Sequence, residues 1–146
     1  MAFIHKKGPA TTEPWPKIAS VAIAANSILG FDGSLGRVRQ AVAGSLRLAG
    51  VSLRKVASTD DDYASTNSIP VIIPGEQDVF EADVTGTLTT AMVGEQFDVS
   101  ANTDGTAQNV DVGATSTKVI TVVGFISSSK ALVKFNGNYV FANKAN

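Results

Sequence analysis

The chain has 146 residues, 44% apolar and 17% charged, with a formal net charge of −1, thirteen glycines and no cysteine. That is one domain's length with material for a real core, which excludes a disordered chain, disulfides, thiolate metal sites and a cysteine nucleophile. No apolar run approaches the roughly eighteen residues that span a bilayer, and Lys6-Lys7 leads into Gly-Pro-Ala-Thr-Thr-Glu-Pro rather than the apolar stretch of a signal peptide.

Residues 1–17 hold three prolines and isolated large apolar side chains at Phe3, Ile4 and Trp15, without helical or strand periodicity. They predict an extended N-terminal arm that docks on a neighbour, ahead of a single β domain over 18–146. Ile18 to Phe31 reads as a first strand region, and Phe31 to Gly36 as a tight reversal on Asp32-Gly33, with Arg37 to Val42 returning antiparallel. Across Gly44 to Val56 the alternation Leu46, Leu48 shifts by one residue into Val51, Leu53, so a bulge or bend is expected at Gly50. Ser58 to Ser68 is polar and acidic, a loop expected to be mobile or at a contact. Val71 to Ile73 is a short apolar run between Pro70 and Pro74, and Pro74-Gly75 supplies a turn. Val79 to Val84 alternates, with Phe80, Ala82 and Val84 on one face and Val79, Glu81 and Asp83 on the other. Leu88, Ala91 and Met92 fall at helical spacing ahead of Gly94, enough for one turn. Asn102 to Gly105 predicts a turn into Ala107 to Val112. Val119 to Phe125 and Lys130 to Phe135 form a last long pair, and Asn136 to Asn138 turns into Tyr139 to Phe141. The total is eight to ten short strands with Gly, Asn and Asp punctuation, an all-β barrel or sandwich.

Chemistry is sparse. The lone histidine, His5, has no partner for a metal site or a Ser-His triad and reads as a solvated or contact residue. GFDGSLG at 30–36 lacks the Lys-Ser/Thr of a phosphate loop. Asp60-Asp61-Asp62 and Asn102-Thr103-Asp104-Gly105 lack the ligand spacing of a calcium loop. Glu81 and Asp83 share a strand face and read as solvent-facing edge charges. Residues 1–56 carry eight basic side chains against two acidic, and the remainder four against eleven. The two segments either form opposite regions of a polar molecule or interleave. Without aromatic interleaving, Arg37, Arg39, Arg47 and Arg54 suit carboxylates at a subunit boundary better than nucleic acid.

The run IPVIIPGEQDVFEADVTGTLTTAMVGEQFDV (69–99) and the closing VITVVGFISSSKALVKF (119–135) resemble the head decoration, or capsid cement, proteins of tailed bacteriophages. VAIAANSILGFDGSLGRV is a weaker echo of them. The resemblance covers about the last half of the chain and rests on the order of strands and turns. It implies a non-enzymatic structural protein on the outer capsid surface of a virion, reinforcing the shell where major capsid subunits meet. Such proteins are often trimers. Phe3, Ile4, Lys6, Lys7 and Trp15 are then the expected partner contacts, with Arg37, Arg39, Arg47 and Arg54 as charge partners. No cofactor, metal, nucleic acid, membrane or small-molecule substrate is expected. The alternative is a receptor- or carbohydrate-binding β-domain of a phage spike or fibre.

Overall fold

The computed structural model describes residues 3–31, 36–42, 47–101 and 107–137. It is all-β, with eleven strands in two sheets. The strands are β1 (Phe3–Lys7), β2 (Thr12–Pro16), β3 (Ile28–Phe31), β4 (Val38–Gln40), β5 (Leu48–Ser52), β6 (Ser68–Ile72), β7 (Val79–Thr85), β8 (Gln96–Ala101), β9 (Gln108–Asp111), β10 (Ile120–Ser127) and β11 (Lys130–Phe135). One sheet runs β1-β7-β11-β10-β8-β9, and a parallel pairing of Val84 and Thr85 with Val110 and Asp111 joins β9 back to β7. That pairing closes β7, β11, β10, β8 and β9 into a barrel, with β1 laid along the first half of β7. The second sheet runs β2-β6-β5-β3-β4.

The barrel interior is filled by Phe80, Ala82, Phe97, Val110, Ile120, Val122, Ala131 and Val133, all at most 3% exposed. These are the inward positions of alternating strands, as the period of two requires. Leu88, 2% exposed, packs into the same core, and the single 3-10 turn Thr90–Met92 follows it, with Gly94 at φ +96° after the turn. The second sheet is covered on both faces. Ile28, Leu48, Val51 and Ile72 join the barrel core, whereas Leu29, Ala49, Ile69 and Val71 face a second cluster closed by Ile23, Val56 and partly buried Tyr63. A strand buried on both sides needs small or apolar residues throughout, and Leu48-Ala49-Gly50-Val51-Ser52 is buried at every position.

The bulge expected at Gly50 is present. Leu29 pairs with Gly50 but Gly30 pairs with Leu48, so β5 carries one extra residue, which brings Leu48 and Val51 onto one face. Glycine is required there because a Cβ would lie 1.9 Å from the Ile72 carbonyl oxygen.

Several expectations are corrected. Within the expected arm at 1–17, residues 3–17 are not free: β1 pairs with β7 in the barrel sheet and β2 pairs with β6 in the second sheet. A segment that cannot pack a core by itself packs against two. Of Ile18 to Phe31 only Ile28 to Phe31 is a strand, and the rest crosses the second cluster with a single bridge, Ile23 to Val56. Val79 is 4% exposed rather than on an outer face. Glu81 and Asp83 do face outward, but from a strand flanked by β1 and β11, not from an edge. The Asp32-Gly33 reversal, the 102–105 turn, Leu46 and the stretch 138–141 lie outside the described residues, although β3 and β4 do pair antiparallel.

Buried polar groups fasten the layers. Gln108, 1% exposed, reaches from β9 of the barrel to the end of the β3–β4 ladder. Its Oε1 accepts from Ile28 N–H at 2.7 Å, and its Nε2 donates to the carbonyls of Ile28 and Ala41 at 2.9 and 3.0 Å. Its amide thus replaces a stretch of strand backbone between two sheets.

Candidate partner-binding surface

The sequence singled out nine residues, and the fold separates them into buried, internally committed and outward-facing groups. Phe3 is fully buried, stacked 5.7 Å from Phe135, which in turn meets Phe80 at 5.2 Å. It is a core residue and cannot also be a contact. Trp15, half-buried, stands edge-on to Phe31 at 5.2 Å, and Arg47 lies over the same Phe31 ring at 5.7 Å. Arg54 grips Asp62 through two hydrogen bonds of 2.6 Å. Those bonds hold the Asp62 carboxyl below its ordinary value against the opposing effect of burial. Arg37 and Arg39 are half-buried. The remaining three face outward: Ile4 is 43% exposed, the Lys6 side chain 48%, and Lys7 is exposed as well.

The outer face around Ile4 is built by register. Ile4 pairs with Glu81 and Glu81 with Leu132, while the next residues along, Phe3, Ala82 and Ala131, turn into the core. Ile4, Glu81 and half-buried Leu132 therefore form one outward row across three strands. Leu132 leans over Gly124, whose Cβ would meet it at 3.0 Å. Around the row the charges pair with one another: Lys6 with Glu81 at 3.4 Å, and Lys130 with Asp83 at 2.8 Å and Glu81 at 3.8 Å. Both basic and acidic segments of the sequence contribute, so the charge asymmetry along the chain does not become opposite regions here. Interleaved strands bring the two halves into register.

Three further polar centres had no signal in the sequence. His5 is not solvated: its ring packs edge-on to Phe80 at 5.4 Å, and Nε2 lies 2.9 Å from the Asp78 carboxylate. Asp78 is 1% exposed and also accepts from the N–H groups of Ala10 and Gly75 at 2.9 and 2.8 Å. Burial alone would push its pKa up, but the Gly75, Ala10 and His5 bonds outweigh it and hold the carboxyl below its ordinary value. This clamp ties the β1–β2 turn to the Pro74-Gly75 turn, and Gly8 at φ +110° passes so close that a Cβ would sit 2.5 Å from the carboxylate. Lys17, fully buried, donates to the carbonyls of Asp62, Tyr63 and Ser65 at 2.7, 3.2 and 2.5 Å. With Arg54 it holds the 58–68 loop, expected to be mobile or at a contact, onto the second sheet. Asp98 accepts from three consecutive N–H groups, Ser116, Thr117 and Lys118, at 3.1, 2.7 and 2.7 Å. Burial opposes, but these bonds hold its carboxyl below the ordinary value too.

An open depression beside that turn is lined by Gln96, Thr115, Ser116, Thr117, Lys118, Asn136 and Gly137, with no aromatic side chain among them. Among the described residues, no cluster of three or more His, Asp or Glu side chains is placed to hold a metal ion, and no helix is long and apolar enough to cross a membrane. No model of a known protein family matches the chain, and no characterised protein matches its sequence.

Proposed function

We propose that this chain is a structural virion protein that binds the outer surface of a tailed-phage capsid and stabilises the assembled shell. The observation that carries the reading is the outward row of Ile4, Glu81 and Leu132, bordered by Lys6, Lys130 and Asp83. A partner that buries the apolar side chains also covers Glu81 between them, but Glu81 is already paired with Lys6 and Lys130, which with Asp83 stay at the rim, so no charge is stranded. The resemblance of residues 69–99 and 119–135 to decoration proteins supports the major capsid protein as that partner.

A domain that binds only the assembled lattice adds its binding free energy to the lattice. At a hundredfold excess over the dissociation constant the gain is about 2.7 kcal/mol per site. The test is co-sedimentation with capsids assembled from the major capsid protein of the phage from which the chain derives, paired with thermal melting of those capsids. Wild-type protein is expected to sediment with them and raise their melting temperature. Ile4→Lys, a surface change, is expected to weaken binding at least tenfold. Absence of wild-type binding, or binding to glycans on an array instead, would overturn the proposal and favour a spike or fibre domain.

A further inference from the structure

The two sheets repeat one topology. The barrel strands follow the order β7-β11-β10-β8-β9 and the second sheet the order β2-β6-β5-β3-β4, so β2 to β6 trace the same path as β7 to β11. In each unit four neighbouring pairs are antiparallel, and the first and third strands meet in parallel. In the second sheet that closing contact is the bridge of Lys17 to Val38, beside which Ile18 N–H donates to the Val38 carbonyl at 3.0 Å. The register repeats too, with one constant shift for each strand. Trp15 with Ile69 becomes Ala82 with Ala131, and Val51 with Ile72 becomes Thr121 with Lys134. Leu29 with Gly50 becomes Phe97 with Ile120, Phe31 with Val38 becomes Val99 with Val110, and Lys17 with Val38 becomes Val84 with Val110. The inward faces agree: Leu29, Val38, Ile69 and Val71 line the second cluster, and their counterparts Phe97, Val110, Ala131 and Val133 line the barrel.

The outward faces differ. Ile28, Val51 and Ile72 seat the first unit on the barrel, and their counterparts in the barrel are Gln96, Thr121 and Lys134, the first exposed and the other two half-buried. A face that makes the barrel-to-barrel contact in one unit is thus open and polar in the other. The polar depression lies on it, lined by Gln96, Ser116, Lys118 and Asn136 among others, and Lys118 is the one ionisable side chain among the described lining residues. Lys118 sits at φ +54°, a left-handed conformation that a residue with a side chain keeps only when its surroundings hold it there. Both its peptide groups are held: its N–H donates to Asp98 at 2.7 Å, and its carbonyl accepts from Asn136 Nδ2. Asn136 is fixed in turn by the Thr121 hydroxyl at 2.6 Å. The face also continues the row described above, since Leu132, Lys134 and Asn136 alternate outward along β11 and the residue after it, between buried Val133 and Phe135.

Building on the capsid reading, we infer that this face extends the contact begun by Ile4 and Leu132, and that it receives an acidic loop of the major capsid protein. A carboxylate entering the depression meets the Lys118 ammonium, with Lys134 on the adjoining outward position of β11 and the Gln96 amide and Ser116 hydroxyl as neutral donors. The neighbouring Asp98 carboxylate does not compete for these groups, because three main-chain N–H groups already occupy it. A third barrel is a poor occupant: the apolar anchors Ile28, Val51 and Ile72 that seat the first unit are here Gln96, Thr121 and Lys134, so the apolar contact cannot be repeated. A polar, charge-paired surface of this kind suits a partner that is met after folding, as at the rim of a non-obligate interface.

The test is capsid co-sedimentation of the full chain beside Lys118→Glu, Lys134→Glu and Lys118→Arg, joined to carbodiimide cross-linking of the bound wild type and peptide mass spectrometry. An amide bond from Lys118 or Lys134 to a capsid Asp or Glu is expected. Each glutamate variant should bind at least about tenfold more weakly at an unchanged melting temperature, because it sets like charges together, whereas Lys118→Arg keeps the charge and should bind as wild type does. Wild-type protein that binds capsids, with both glutamate variants binding equally well and no cross-link from either lysine, would overturn this inference and leave the decoration reading standing. Absence of wild-type binding would overturn both.

Discussion

Replacing Gln108 probes the joint between the two sheets. In Gln108→Leu the side chain keeps a similar volume but loses all three hydrogen bonds. Not all three backbone groups are orphaned, since the Ile28 carbonyl still accepts from Ala41 N–H at 2.9 Å. The Ile28 N–H and the Ala41 carbonyl lose the amide. At about 1–3 kcal/mol for each buried group left without a partner, the cost is roughly 4 kcal/mol. For a chain of this size that corresponds to a fall in melting temperature of about 12 °C. Gln108→Glu sharpens the test. A carboxylate can accept from Ile28 N–H but opposes the carbonyls of Ile28 and Ala41, so the protonated acid is the form the site accommodates. Its folded pKa is therefore raised above the unfolded value. The variant, compared with wild type at each pH, should be least stable at neutral pH and recover as the pH falls toward the unfolded carboxylate value. Urea and thermal unfolding by circular dichroism measure both effects. A Gln108→Leu protein that melts within 3 °C of wild type would refute the reasoning, because the joint would then contribute less than about 1 kcal/mol.

Phe3→Ala opens a cavity between β1 and the Phe80–Phe135 pair and should cost about 3–5 kcal/mol in urea titration. Deleting residues 1–16, which removes β1 and β2, should leave a chain without cooperative unfolding; a truncated protein that melts like the full chain would contradict the assignment of this segment to the fold. Lys17→Met strands the Ser65 carbonyl, since Ser65 still donates to the Asp62 carbonyl and Ser20 N–H to that of Tyr63; it should loosen the 58–68 loop, seen as faster proteolytic nicking there and a loss of about 1–3 kcal/mol. Asp78 and Asp98 titrate below their ordinary value of 3.8 in the folded state, so their contribution is complete above that value and is lost as the pH falls through the lower folded one. Melting temperature should hold from neutral pH to about 5 and drop below about 4. Asp98→Asn should cost about 1–3 kcal/mol at pH 7 and markedly less at pH 3.

Much of the strand order was legible because its signals are local. Alternation at Val79 to Val84 and at Lys130 to Phe135 depends on successive side chains pointing opposite ways, the one-residue phase slip at Gly50 announces an extra residue, and Leu88 to Gly94 fits a single turn. These features made the chain all-β before any contact was known. The candidate surface was legible only in part. Ile4, Lys6 and Lys7 were singled out and do face outward, whereas Phe3, beside them, is core. No local pattern separates Phe3 from Ile4, because β1 borrows its inward and outward sides from β7, more than seventy residues away in sequence.

The same physics explains what only the tertiary structure decided. Met1 to Lys17 looks like an arm when its apolar residues are counted alone, but Phe3–Lys7 and Thr12–Pro16 within it become strands once β7 and β6 offer unpaired edges. Polar residues scattered without motif, His5, Lys17, Asp78, Asp98 and Gln108, become fasteners because burial obliges every donor and acceptor there to find a partner. Those partners are supplied by chain crossings that composition cannot register. The sequence by itself determined the class of structure and most of its punctuation, since period and turn chemistry are properties of neighbouring residues. Which edges are closed and which charges are already paired were decided by the register of distant strands.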